Sequence, residues 1–196
     1  MLNKMKSNIE KDIEKSILHS AKIINESVTL TKDIEKAVKV IEKCLKNGKK
    51  VIAFGNGGSA ADAQHIVAEL IGRYKIERKS YPAIALSTDT SVLTSLSNDY
   101  SYDIVFERQC ESLVNKGDVI IGISTSGKSK NVKKGIIAAR KKNAKVISFL
   151  GGNGGDIKKY SDISIIVNST DTPKIQEVHR IIYHIICEIV EKRLSE

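Results

Sequence analysis

Between Gly55 and Leu70 the chain reads GNGGSAADAQHIVAEL, directly after the apolar run Val51 to Phe54. A strand that feeds a glycine-rich turn and then a helix is suited to hold phosphate, because the helix N-terminus offers unpaired N–H groups and a positive dipole. Further along, Ser124-Thr125-Ser126-Gly127-Lys128-Ser129 follows a second apolar run and opens a helical stretch from Asn131 to Lys142. Four hydroxyls, a flexible glycine and helix N–H groups converge there, which makes a cradle for a phosphate dianion. A surface turn with a serine cap explains part of that pattern; four hydroxyls in six residues behind an apolar strand favour the phosphate. A third loop, Gly151-Gly152-Asn153-Gly154-Gly155-Asp156, needs no more than a tight turn to account for its glycines.

The spacing Gly55-x-Gly57-x-x-Ala60 also satisfies the relaxed dinucleotide fingerprint, which expects a ribose-binding carboxylate about 20 residues on. Asp89 follows Gly57 by 32 positions, so the fingerprint reads as accidental. His65 and Glu69 are four apart and project from one helical face. Such a pair is more often a surface pair than a site. Near the C-terminus Gln176, His179 and His184 interrupt an apolar helical pattern. At about 100° per residue, His184 lies about 80° from Gln176 and about 140° from His179. Both histidines cannot face one site, and the angles do not say which of them does.

The elements that must position these residues follow from apolar spacing. Residues 3 to 27 carry Ile9, Ile13, Ile17, Ala21 and Ile24 at helical spacing, and Thr31 is a candidate cap for a second helix with Ile34, Val38, Ile41 and Leu45 on one stripe and Gly48 past its end. Strand-like runs follow at Val51–Phe54, Ala83–Leu86, Val119–Ile123, Val146–Leu150 and Ile163–Val167, mostly continuous instead of alternating. Strands of that kind are buried on both faces, as in a parallel sheet. Helical stretches at Ser59–Arg73, around Asp103–Val114 and at Lys130–Lys142 separate most of them. The expectation is an α/β fold, a three-layer α/β/α sandwich of five parallel strands behind N-terminal helices. A final helix from Pro173 to about Leu194 is apolar around much of its circumference, so it is either deeply buried or packed between subunits.

With 196 residues, the chain is sized for one domain, residues 1–48 forming a helical segment and 49–196 the core with its last helix. Cys44, Cys110 and Cys187 are too few and too scattered for a disulfide framework or a thiolate metal site. No apolar stretch approaches the roughly 20 residues that span a bilayer, and the N-terminus lacks a signal-peptide pattern, which points to the cytoplasm and away from membranes. The net charge of +9 raises a nucleic-acid partner, but most lysines sit singly on helical polar faces and aromatic residues are 5%. Few stacking platforms exist, so nucleic acid is not expected and phosphorylated metabolites suit the field equally well.

The strings GNGGSAADAQHIVAEL, SNDYSYD, GISTSGKSKNV and PKIQEVHRIIYH, in this order over nearly the whole chain, resemble the phosphoheptose (sedoheptulose 7-phosphate) isomerases of the sugar isomerase (SIS) domain class. The resemblance implies a homotetramer with active sites at subunit contacts. By it, Asn56, Gly57, Gly58 and Ser59 match a first substrate loop, Asn98 and Asp99 a second contact, and Ser124, Thr125, Ser126 and Ser129 the phosphate loop. His65, Glu69, Gln176 and His184 match the family's zinc ligands, one ion per subunit, and Gln176 and Glu69 also belong to the substrate site. Glu69 and His184 match its acid/base pair, which selects His184 over His179 and leaves His19 at the surface.

The chemistry suits those types: turning the ketose into an aldose moves a proton from C1 to C2 through an enediolate, for which a carboxylate is a fitting base. His184 could open the ring or shuttle a proton between the oxygens. A zinc-bound carboxylate is a weaker base, so the ion must move, polarise the carbonyl or occupy the site only in some states. Two departures from relatives stand out: Lys174 where many carry Arg, and Lys128 where an uncharged residue is frequent. The same resemblance extends to a non-catalytic adaptor that binds the bacterial replication initiator, which has no chemical need to retain Glu69, His65, Gln176 and His184 together.

Overall fold

The computed structural model describes residues 7–195. Residues 3–6 of the first expected helix lie outside that range. Helix α1 (Asn8–Glu26) opens on a capping box in which Ser7 Oγ accepts the Glu10 N–H at 3.1 Å and Glu10 Oε2 accepts the Ser7 N–H at 2.7 Å. The expected cap at Thr31 is not formed. A 3-10 turn over Ser27–Leu30 runs straight into α2 (Thr31–Lys46), and Thr31 Oγ1 donates to the Val28 carbonyl at 2.6 Å. Gly48, at φ +64°, ends that helix in the left-handed region that glycine tolerates.

The sheet is five-stranded and wholly parallel, ordered β2-β1-β3-β4-β5, from β1 (Val51–Gly55), β2 (Ala83–Ala85), β3 (Val119–Ser124), β4 (Lys145–Gly151) and β5 (Ile163–Val167). Alternate side chains go to opposite layers. Val51, Ala53, Val119, Ile121 and Phe149 join a core under α2, α3 (Gly58–Ile71) and α7 (Thr172–Ser195), whereas Ile52, Phe54, Ile120, Val146 and Leu150 join one under α5 (Val105–Leu113) and α6 (Lys130–Lys141). Both faces are covered, which is why the strands read as continuous apolar runs.

One helix was not expected. The segment α4 (Thr90–Asp99) is capped by Asp89, whose carboxylate accepts the Val92 N–H at 3.0 Å. The residue weighed above as a ribose ligand is therefore a helix cap. The stretch expected around Asp103–Val114 begins as a 3-10 turn at Tyr102–Ile104 before α5. Helix α7 buries Ile175, Val178, Ile182, Ile186 and Val190, while Ile181, Ile185 and Ile189 stay partly exposed on another face. The α1 stripe is barer: Ile9, Ile13 and Ile17 are 72%, 55% and 63% exposed, and Ile23 is the buried residue of that helix. Among the described residues no helix is long and apolar enough to cross a membrane.

Candidate functional site

In the order β2-β1-β3-β4-β5 the chain leaves β1 in one direction and returns on the other side at β3. The carboxyl ends of β1 and β3 therefore form a crevice, the position where open parallel sheets bind ligands. Gly55 stands opposite Ile123 in the parallel register, so the GNGGS loop and the STSGKS loop emerge side by side. They are latched together. Asn56 and Asn131 exchange side-chain hydrogen bonds, each amide donating to the other's oxygen at 2.9 Å, and Tyr102 Oη donates to Asn56 Oδ1 at 3.2 Å.

Within the first loop Gly57 has φ +54° and ψ −123°, a conformation costly for any residue with a Cβ. Gly58 opens α3 and lies against the Gln176 amide, which any side chain at 58 would strike. In the second loop Ser124 Oγ and Ser129 Oγ share a hydrogen bond at 3.0 Å, and Ser126 Oγ accepts the Lys128 N–H at 3.2 Å. Gly127, at φ +64°, packs its backbone on Gly154 and Gly155, so the third loop is a buttress for the second as well as a tight turn. Thr125, Ser126, Lys128, Asn153 and Ser169 line a cleft of about 750 Å³ at this edge. Asn98 and Asp99 bond each other at 2.9 Å at the end of α4. Contact from that region to the first loop comes through Tyr102 instead.

The acid/base candidates meet across the seam between α3 and α7. Glu69 Oε1 is 2.9 Å from His65 Nε2, and His184 Nε2 is 3.5 Å from the same nitrogen. One ligand atom from each of His65, Glu69 and His184 fits within 4.8 Å of the others. Two imidazoles and a carboxylate are ligand types that zinc accepts, and three protein ligands leave a position open. Gln176 has its amide at Gly58, about two turns before His65 on α3, and no hydrogen bond joins it to the three among the described residues. His184 is held below the usual imidazole range by burial and then by the neighbouring His65, so it is neutral near pH 7.

His179 faces the other way. It is fully buried, lies tilted against the Phe149 ring with centroids 5.5 Å apart and bonds the Leu150 carbonyl through Nε2 at 3.1 Å, and burial pushes it down to about 4. His19 is exposed, as expected. Lys174, the departure noted above, reaches Ser20 Oγ at 2.7 Å, Ser16 Oγ at 3.3 Å and Glu177 at 3.1 Å, tying α1 to α7. Lys128 lies exposed on the rim of the cleft.

Sequence reasoning passed over several groups that hold the site. His65 Nδ1 is 2.9 Å from Tyr183 Oη, a phenol that burial raises to about 12 despite Arg180 beside it. Asp62, one turn before His65, is fully buried and bonded by Arg180. The available signal was one of spacing: Asp62 and His65 are i and i+3 on α3, and Arg180, Tyr183 and His184 are i, i+3 and i+4 on α7. Farther down the seam Arg78 pairs with Glu191 at 2.9 Å, with side chains 6% and 2% exposed. Arg78 also donates to the carbonyls of Glu69, Leu70 and Gly72, and Glu191 accepts the N–H groups of Tyr74, Lys75 and Ile76.

The SIS domain family profile matches residues 4–151. A phosphoheptose isomerase from Aliarcobacter butzleri is 50% identical over 191 residues, 97% of this chain and 100% of that protein. The chain belongs to the phosphoheptose isomerase family. Solved structures of this family superpose closely on the fold: the phosphoheptose isomerase of Neisseria gonorrhoeae at a TM-score of 0.90 and 36% identity, covering 94% of this chain and all of that one. The Francisella tularensis phosphoheptose isomerase aligns at 0.91 and 33% identity, covering 95% of this chain and 100% of its own. The α/β sandwich read from apolar runs is thus the architecture of the phosphoheptose isomerases.

Proposed function

We propose that this chain is an aldose–ketose isomerase that converts sedoheptulose 7-phosphate to D-glycero-D-manno-heptose 7-phosphate. The observation that carries the reading is the meeting of Glu69 with His65 and His184 across the α3–α7 seam, in a chain that matches a phosphoheptose isomerase along its length. An adaptor would need the fold but not this constellation. The whole chain acts as one SIS domain.

The sugar phosphate enters the crevice between β1 and β3. Thr125, Ser126, Ser129 and the N-terminus of α6 take the phosphate, with Ser124 holding Ser129 in place. Asn56, Gly57, Gly58, Ser59 and Gln176 position the sugar, with Asn98 and Asp99 closing on it from α4. Glu69 takes the C1 proton and returns it at C2. His184, neutral in this setting, gives and accepts the proton that moves between the two oxygens. His65, Glu69 and His184 would hold one zinc ion per subunit, whereas Gln176, the fourth ligand that the resemblance implies, has its amide at Gly58. An ion held there would supply Lewis acidity toward the sugar carbonyl.

The enzyme works in the cytoplasm as a homotetramer, in which the bare Ile9, Ile13 and Ile17 of α1 and the half-exposed Ile181, Ile185 and Ile189 of α7 are covered. Incubating purified protein with sedoheptulose 7-phosphate tests the activity: an aldoheptose phosphate should accumulate to equilibrium. Its absence under zinc-replete conditions overturns the proposal.

A further inference from the structure

His65 is bonded at both ring nitrogens, and the chemistry of its partners fixes where its proton sits. Nε2 faces the Glu69 carboxylate at 2.9 Å, and an ionised carboxylate only accepts. Nε2 therefore carries a hydrogen, and in the neutral ring Nδ1 is then the acceptor. Its partner is the Tyr183 hydroxyl at 2.9 Å, which donates. The Tyr183 oxygen accepts in turn from Arg180 Nε at 3.2 Å. A second acceptor for the same hydroxyl, Asp62 Oδ1, stands 3.4 Å away, held by Arg180 Nη2 at 2.9 Å.

A cation shared with Glu69 and His184 would need the lone pair of Nε2, the nitrogen that faces both. The hydrogen then moves to Nδ1, which turns from acceptor to donor. Tyr183 meets this change by rotating its O–H toward Asp62 and accepting from Nδ1. No buried polar group at His65 Nδ1 or Tyr183 is left unpaired in either arrangement, which matters because each such loss is costly. We propose that Tyr183, clamped between Arg180 and Asp62, is a positioning residue that serves both tautomers of His65, donating to Nδ1 when Nε2 is protonated and accepting from it when Nε2 binds a metal ion. Only the second half rests on the zinc reading above.

Tyr183→Phe tests this, since it removes one hydroxyl from a ring that is 1% exposed and keeps the packing. Nitrogen-15 NMR of the histidines and titration with zinc alone against a competing chelator are the readouts, with thermal unfolding as the check on folding. Wild-type protein without metal should show His65 protonated at Nε2, and zinc should move the proton to Nδ1. In the variant, the Nδ1 resonance of the metal-free protein should shift as its hydrogen bond is lost, and zinc affinity should fall about 10- to 100-fold. An unchanged Nδ1 resonance, or a folded variant that binds zinc as tightly as wild type, overturns the role of Tyr183. Wild-type protein that takes up no zinc overturns the metal reading, and the metal-free spectra then decide the role of Tyr183 by themselves.

Discussion

Replacing Glu69 with Gln separates the base from the scaffold that carries it. Among the described residues the Glu69 side chain makes one hydrogen bond, to His65 Nε2 at 2.9 Å, and an amide oxygen can accept the same bond. Exchanging a charged acceptor for a neutral one there costs on the order of 1 kcal/mol, small beside a typical stability of about 5–15 kcal/mol. The backbone at Glu69 is anchored independently, its carbonyl accepting from Arg78 Nη2 at 2.8 Å, so α3 keeps its place. The hydroxyl loop is untouched, and KM should change little. What disappears is the basic lone pair, and kcat should fall by about 10² to 10⁴, which is roughly 3–5 kcal/mol of barrier. The assay is proton NMR in deuterium oxide, where the wild type should wash deuterium into C1 of the ketose and Glu69→Gln should not. Rates are read with and without added zinc, so that a shortage of metal does not pass for a missing base. A folded Glu69→Gln protein with near-normal turnover and wash-in would refute the assignment and move the base to His184.

Ser126→Ala should raise KM more than it lowers kcat, by a loss of about 1–2 kcal/mol for one hydrogen bond to a charged group; an unchanged KM would place the phosphate elsewhere. In solution the protein should sediment as a tetramer, and a monodisperse species near 21.6 kDa would contradict that. His179 sits near 4 in the folded protein, below its ordinary value of about 6.5. The unfolded chain therefore binds the proton first as pH falls through 6.5, and stability drops until about pH 4, by roughly 3 kcal/mol. Urea unfolding across that window should be steeper for wild type than for His179→Gln, and equal slopes would show that His179 does not contribute.

Much of the fold was legible because burial on both faces leaves an unbroken apolar run, and each of the five runs is a strand. Helix α4 was not legible. Its sequence, TSVLTSLSND, is rich in hydroxyl residues that compete with the backbone, and it lies on the surface with no fully buried stripe. Thr31 misled because a capping residue must itself have an extended backbone, and Thr31 is helical at φ −50° and ψ −42°, continuing the 3-10 turn before it. Spacing could separate the two C-terminal histidines but not choose between them, since the choice depends on α3 lying against α7. Asn131 was invisible for the same reason, its partner Asn56 being 75 positions away, and the spacing that put Tyr183 beside His184 could not name its partner His65, 118 positions away.

The pairing of Arg78 with Glu191 has a bearing on how variants of this protein would be interpreted. Removing one member of a buried ion pair costs about 3–5 kcal/mol, and here it would also free the last turn of α3, on which Glu69 rides. A loss of turnover at Arg78 or Glu191 would thus look like a chemical defect while touching no reacting atom. The two positions act as a spacer gauge between helices: an engineer who wished to widen the gap between carboxylate and imidazole for a bulkier sugar would adjust the clamp, leaving the reactive groups themselves as they are.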